Sequence, residues 1–303
     1  MLRGAGTGSA PSHLLMRRRS LLLQAAGLTL AACAKAPQSG VRPRRAAPLS
    51  EQLPALALPR RPAGALGATA LVDELVKLRP GEREARLTDE YLAGNIPDFL
   101  RTFVPVQLAH GGLEATCFVL SDYLAVGEAQ DWVRAPLTIR GARTDAKAAQ
   151  CVLPTTRVVD AIHAAAKVRI ASPYMPPGRD MSGVDYFVRH HRTIEQRREA
   201  QPLGVLISGH KKDLVISKRE LSSPSRTPIY GWFRDDGTPI QPLSLLHDQR
   251  YVDYAHGIRL VHGRIRVDGA WVDFIDALAD AKLAPLVSDE GRFSYALSWA
   301  RGY

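Results

Sequence analysis

The chain has 303 residues, with 40 Lys and Arg against 30 Asp and Glu, a formal charge of +10. Its 46% hydrophobic and 23% charged residues exclude a disordered or collagen-like chain. A charge of this size raises a nucleic-acid or anionic-membrane partner, so its placement decides its meaning.

Residues 1–32 carry Arg3, Arg17, Arg18 and Arg19 and no acid; residues 33–62 carry six further cations and only Glu51. Residues 63–303 are left with 30 cations against 29 acids. The foldable part is close to neutral, and no nucleic-acid partner is expected.

Met16-Arg17-Arg18-Arg19-Ser20 is a basic cluster, and the acid-free apolar run that follows to Ala32 is broken only by Gln24, Gly27 and Thr29. The run is too short to cross about 30 Å of hydrocarbon. Basic, apolar and then small residues is the order of a secretory signal, placed at 1–32. Leu30-Ala31-Ala32-Cys33 resembles the bacterial lipobox, which implies diacylglycerol on Cys33 and loss of the preceding peptide. Arg18-Arg19-Ser20-Leu21-Leu22 resembles a twin-arginine signal, which implies export of an already folded protein. Met16 is an alternative start to Met1. Ala34 after the lipobox cysteine permits outer-membrane sorting where the host has such a membrane. A lipoprotein in the cell envelope, on its periplasmic side or at the cell surface, is the expected location.

Residues 33–66 are rich in Pro, Ala and Arg and read as a flexible tether, because such a segment buries too little apolar area to offset its ordering entropy. Residues 67–303 read as a single domain. Ala68–Arg79 has helical spacing with Pro80-Gly81 as its stop. Thr88 caps a second expected helix reaching about Phe103, interrupted at Pro97. Val104–Ala109, Ala115–Leu120 and Tyr123–Val126 read as strands, and Thr138–Gln150 as a helix. Pro154 suits the first turn of another helix. Asp185–Ala200 reads as a charged helix after a Pro-rich loop at Pro173–Gly178. Beyond Pro202 the pattern turns to strands at Leu203–Ser208, Leu214–Ser217, Pro228–Phe233, Thr238–Pro242 and Ile258–Val267, with Asp235-Asp236-Gly237 as a tight turn. A final helix is expected over Trp271–Lys282. The segregation predicts an α+β fold, a helical N-terminal half packed on a mostly antiparallel sheet from the C-terminal half.

Two cysteines remain besides Cys33. Cys117 alternates with apolar neighbours as a core residue or half of a Cys117–Cys151 disulfide, the ordinary fate after export. Cys151, just ahead of a helix, is a candidate nucleophile because the helix N-terminus would lower its pKa. Gly209-His210-Lys211-Lys212-Asp213 lies between apolar strand sequences, which makes His210 a candidate general base with Asp213 beside it. The alternative is a hairpin turn in which Lys211 and Lys212 are solvated. A second cluster joins His247 to Asp253-Tyr254-Ala255-His256-Gly257-Ile258-Arg259; His256 is a further catalytic candidate. Arg259 could hold a carboxylate bidentately. Four of these polar side chains could bind a metal, but no compact motif such as His-Glu-x-x-His is present, and neither metal nor cofactor is expected.

Cys151, then His210 and a strand at Pro228–Phe233 resemble, in chain order, the NlpC-type papain-like hydrolases. That resemblance covers roughly residues 148–235 and implies Cys151 as nucleophile, His210 as base and Tyr230 as the third polar group. No Asp-Cys-Ser-Gly sequence surrounds Cys151, however. Ala255-His256-Gly257-Ile258-Arg259 is similar to the L,D-transpeptidase signature but has Ile258 where the nucleophile belongs, which removes that chemistry. Gly209–Asp213, Tyr230–Trp232 and Asp253–Arg259 also resemble a family of secreted bacterial proteins without an assigned activity.

The expected function is therefore an exported, lipid-anchored hydrolase of an amide or ester bond in a cell-envelope or extracellular polymer. Its chemistry is Cys/His or His/Asp, with Lys211, Lys212, Tyr230 and Arg259 as substrate contacts. The alternative is a non-catalytic envelope lipoprotein that binds a polymer or protein partner.

Overall fold

A computed structural model describes residues 53–293, all within one unit of the chain. Cys33, the leader and the first part of the tether lie outside the described residues.

The helices are α1 (Ala68–Leu75), α2 (Pro80–Leu92), α3 (Ile139–Ala148), α4 (Thr156–Ala165), α5 (Val184–Arg198), α6 (Phe274–Ala279) and α7 (Ala284–Val287). The first seven strands are β1 (Phe103–His110), β2 (Leu113–Leu120), β3 (Val126–Gly127), β4 (Trp132–Val133), β5 (Cys151–Val152), β6 (Val168–Arg169) and β7 (Ile207–Ser208). Seven more follow: β8 (Lys212–Leu214), β9 (Ile229–Phe233), β10 (Pro239–Ser244), β11 (His256–Gly257), β12 (Val261–His262), β13 (Arg264–Val267) and β14 (Ala270–Asp273). The fold is α+β. No described helix is long and apolar enough to cross a membrane.

Two sheets organise the domain. The antiparallel six-stranded sheet runs β14-β13-β2-β12-β5, with β1 also paired to β2 through the His110-Gly111-Gly112 turn. The four-stranded sheet runs β10-β9-β8-β11 and is antiparallel except at β8 and β11. Helix α4 packs against both β1 and β9 and so joins the sheets. Thr155 starts it, its hydroxyl accepting from the Val158 N–H at 3.3 Å. Thr138 caps α3 in the same way.

Several boundaries differ from the sequence reading. Pro80 starts α2 as its first residue instead of ending α1, since a helix start needs no N–H there. That helix stops at Leu92, and Gly94 (φ +80°) turns the chain. A Cβ on Gly94 would lie 2.1 Å from the Pro59 carbonyl oxygen. Only a 3-10 turn, Asp98–Leu100, precedes β1. At the other end Trp271 belongs to β14, which pairs with β13 (Arg266 opposite Trp271), and Asp273 caps a shorter α6 through the Ile275 and Asp276 N–H groups.

Residues 53–66, read as tether, lie on the domain. Leu56 is buried, Ala55 bridges to Thr102, and Arg61 Nε donates to Asn95 Oδ1 at 2.8 Å. Arg101 donates to the Pro59 carbonyl at 2.8 Å. The segment is held both by polar contacts with the domain and by its own leucines, Leu56 in the core with Leu58 and Leu66 packed against it.

Candidate functional site

Residues 206–217 are buried without a break although they contain His210, Lys211, Lys212 and Asp213. The reason is topological. Strand β8 lies inside its sheet, with Lys212 opposite Gly231 of β9 and, on its other edge, opposite His256 of the parallel β11. The two polar motifs of the sequence are thus neighbours, and their charges leave water together. Buried charges persist only when paired and hydrogen-bonded.

The pairing falls into two groups. In the first, Asp122 takes Arg134 Nε at 3.0 Å, Arg134 Nη2 at 2.5 Å and His210 Nε2 at 3.2 Å. Arg134 also reaches Glu195 at 2.8 Å. Burial alone would raise the Asp122 pKa, but Arg134 and His210 hold its carboxyl well below the usual range. Burial pushes His210 down to about 4, so its imidazole is neutral at pH 7. Tyr123 donates to Asp213 Oδ2 at 2.8 Å and carries the Arg259 guanidinium 4.1 Å above its ring. Burial raises Asp213 to about 7, against the pull of Arg259 and Tyr123. Lys211 donates to the Tyr254 carbonyl at 2.6 Å, and burial lowers it to about 7.

In the second group, Lys212 lies 3.6 Å from Asp253 Oδ2 and 4.6 Å from the Trp232 ring centre. Asp253 also accepts from the Tyr251 hydroxyl at 3.2 Å. His247 stacks on Tyr251 with ring centres 3.9 Å apart, and both face His256 at 6.4 and 5.7 Å. His256 is fully buried, and neither ring nitrogen has a hydrogen-bond partner among the described residues. Burial, opposed by Asp253, lowers its pKa to about 4. The Trp232 indole N–H is likewise unpartnered, and Trp232 itself sits at φ +57°. A bulky residue in that region is strained, and such strain concentrates at functional sites.

The candidates read from the sequence divide accordingly. Lys212 and His256 come together beside His247, while His210 and Asp213 join the deeper group through Asp122 and Tyr123. Lys211 and Lys212 are buried and not solvated hairpin residues. Among the described residues Arg259 holds no carboxylate bidentately; its guanidinium donates to the Leu120 and Ile207 carbonyls at 2.9 and 2.7 Å and ties β2 to β7. Tyr230 points elsewhere, donating to Asp160 Oδ1 at 2.9 Å.

Cys151 lies in β5 and not at a helix terminus, and its thiol donates to the Ala149 carbonyl at 3.3 Å. Burial raises its pKa and also pushes Cys117 up to about 12. Both thiols are free and buried, so of the two alternatives Cys117 is the core residue and does not bridge to Cys151. His210 sits between β7 and β8, in a different sheet and with different partners. Mass-mapped thiol labelling should leave Cys117 and Cys151 unmodified in folded protein and modify both in denaturant; ready labelling of folded Cys151 would contradict this placement.

Asp122 and Arg134 carry no motif that singles them out in the sequence. Asp122 reads as a turn residue, and only its position directly after a long strand signalled burial. No described group of three or more His, Cys, Asp or Glu side chains is arranged to hold a metal ion.

Close packing fixes this arrangement. A Cβ on Gly257 would lie 2.5 Å from the Tyr123 ring and 3.0 Å from the Lys211 Cβ. The ring cannot yield, being held by Asp213 and Arg259. Gly257→Ala is therefore expected to lower stability by about 1–3 kcal/mol. An unchanged urea midpoint would count against so tight an approach.

Comparison with known proteins identifies no relative. No protein-family model, curated protein or solved structure matches this chain.

Proposed function

We propose that the protein is an exported, lipid-anchored hydrolase of the cell envelope that cleaves an amide or ester bond of a polymer, with His256 as its general base. The observation that carries this reading is a neutral, buried imidazole whose two nitrogens are unspent, placed beside a Lys–Asp pair and a strained tryptophan. In the step envisaged, His256 takes a proton from water and the hydroxide adds to the substrate carbonyl. Lys212, opposite His256 across the β8–β11 pair, is the cation for the oxyanion that forms. Collapse breaks the C–N or C–O bond, and the proton on His256 passes to the departing amine or alcohol. Cys151 has no part in it, since its thiol is protonated and occupied. Export and anchoring rest on the leader, where the basic cluster, apolar run and Leu30–Cys33 lipobox agree.

A second reading is a non-catalytic lipoprotein that binds its polymer. It is favoured by how fully His210, Lys211, Asp213, Arg259 and His256 itself are buried, each at 2% exposure or less, which suits a rigid frame better than a reacting site.

Wild type, His256→Gln and Cys151→Ser should be compared on purified peptidoglycan and on simple polyesters and polyamides. Product release by wild type and Cys151→Ser but not by His256→Gln is expected. Equal release from all three, or none from any, would overturn the histidine mechanism.

A further inference from the structure

Helix α5 carries two adjacent histidines, His190 on its buried face and His191 beside it, and neither is placed to hold a charge. Arg134 Nη1 lies 3.1 Å from His191 Nδ1. A guanidinium only donates, so this ring nitrogen accepts and the imidazole is neutral. His190 is fully buried, its ring centre 4.8 Å from that of Tyr254. Neither of its nitrogens has a hydrogen-bond partner among the described residues. Such a ring is tolerated inside the domain only while uncharged.

The surroundings would repel a proton on either ring. His190 faces Lys211 and His210 from the β7–β8 turn, Arg134 from the segment after β4, and His191. His191 faces Arg134, Lys211 and, on its own helix, Arg198, with Asp122 as the opposing acid. Asp122 already serves Arg134 and His210, and Glu195 serves Arg134 and Arg198. Burial, reinforced by the nearby cations, holds both histidines well below their ordinary value.

The helix is fastened at one end and slack at the other. Just ahead of Gly183, the Met181 and Ser182 carbonyls accept from the Tyr254 N–H at 3.0 Å and from Arg83 at 2.7 Å. Beyond the helix, residues 199–204 are exposed throughout, and both Glu199 (φ +53°) and Gly204 (φ +80°) turn the chain. Apolar contacts keep the helix closed, Phe187 with Tyr254 and Ala255, and Ile194 with Val168, Ile170 and Ile207. Two opposed influences therefore act on one element, as a switch requires.

We infer that α5 is an acid-released cover: proton uptake by His190 and His191 frees the helix, which swings about Gly183 on the slack of residues 199–204 and uncovers Tyr254 and the β7–β8 turn. This release does not depend on the hydrolase reading. An opening that returns both histidines to an ordinary pKa of about 6.5 grows about eightfold per histidine between pH 6 and 5, or about sixtyfold for the pair.

Hydrogen–deuterium exchange of the full chain at pH 7, 6 and 5, corrected for the intrinsic pH dependence of exchange, tests the cover. In wild type α5 should open more readily than β2 at each pH, and its opening constant should show the sixtyfold rise. His191→Gln keeps an acceptor for Arg134 and should reduce the rise to about eightfold; His190→Leu/His191→Gln should abolish it. A single opening constant shared by α5 and β2 would mean that the domain unfolds as one unit and would overturn the cover. So would α5 exchange that is independent of pH in wild type, or a rise undiminished in the double variant. The wild-type comparison of α5 with β2 decides the question even if a variant fails to fold.

Discussion

Asp122→Ala should destabilise the protein by about 3–5 kcal/mol, the range for removing one partner of a buried ion pair. Asp122 is the only carboxylate shared by Arg134 and His210 among the described residues, and all three side chains are nearly inaccessible. Without it Arg134 keeps only the partly exposed Glu195 as an ionic partner, with the His191 ring nitrogen 3.1 Å away, and His210 loses its hydrogen bond to a carboxylate. Glu195→Gln should cost less than about 1 kcal/mol, because the Glu195 carboxylate is partly exposed and shared with Arg198, and glutamine keeps an oxygen for Arg134. Urea titrations of the two variants decide the matter, and equal losses would refute a buried centre at Asp122. The pH dependence follows from the sign of the shift. A carboxyl whose folded pKa is depressed stabilises the fold above its unfolded value, about 4, and that contribution is lost as the pH falls through the folded pKa. Wild type and Asp122→Ala should therefore converge in stability only in strong acid.

His256→Gln should lower kcat/KM by about 10²–10⁴-fold on whichever polymer the wild type cleaves, the usual contribution of a positioned base. Glutamine keeps much of the volume and offers an amide in place of the imidazole, so the loss reports proton transfer more than packing. The pH profile provides an independent check. Catalysis needs the neutral imidazole, and burial holds His256 near 4. The acid limb of kcat/KM should accordingly fall near pH 4, with little change between about pH 5 and 7. A limb near the ordinary histidine value of about 6.5 would assign the base to a less buried residue.

How much could be read in advance differs from motif to motif. The β1–β2 hairpin was legible because alternation and the Gly111-Gly112 turn agree, and Asp235-Asp236-Gly237 marked the β9–β10 turn for the same local reason. Trp271 was not legible. Apolar spacing allowed a helix there, and pairing with Arg266 of a neighbouring strand overrode it. The polar motifs were visible as clusters, but their depth was not. A Lys-Lys dipeptide ordinarily stays in water, and the strands on both sides of β8, one of them the parallel strand carrying His256, bury it. Arg259 shows the same limit, for nothing local announces that its partners are the carbonyls of Leu120 and Ile207. Cys151 failed as a helix-terminal thiol because β12 captures it in a strand, with His262 opposite, before α4 begins.

The parallel contact of β8 with β11 also bears on the order in which the chain assembles. The β9–β10 hairpin intervenes between the two strands and closes through near neighbours, and β8 can join β9 early. β11 must return across the whole intervening loop, which carries a larger entropic penalty and is slow. Until it arrives, Lys212 and Asp213 keep their water and Gly257 has not met Tyr123. The docking of β11 is then also the step that dehydrates Lys212 and Asp213. Substitutions at Gly257 should slow folding only to the extent that this docking has begun in the transition state, and otherwise speed unfolding.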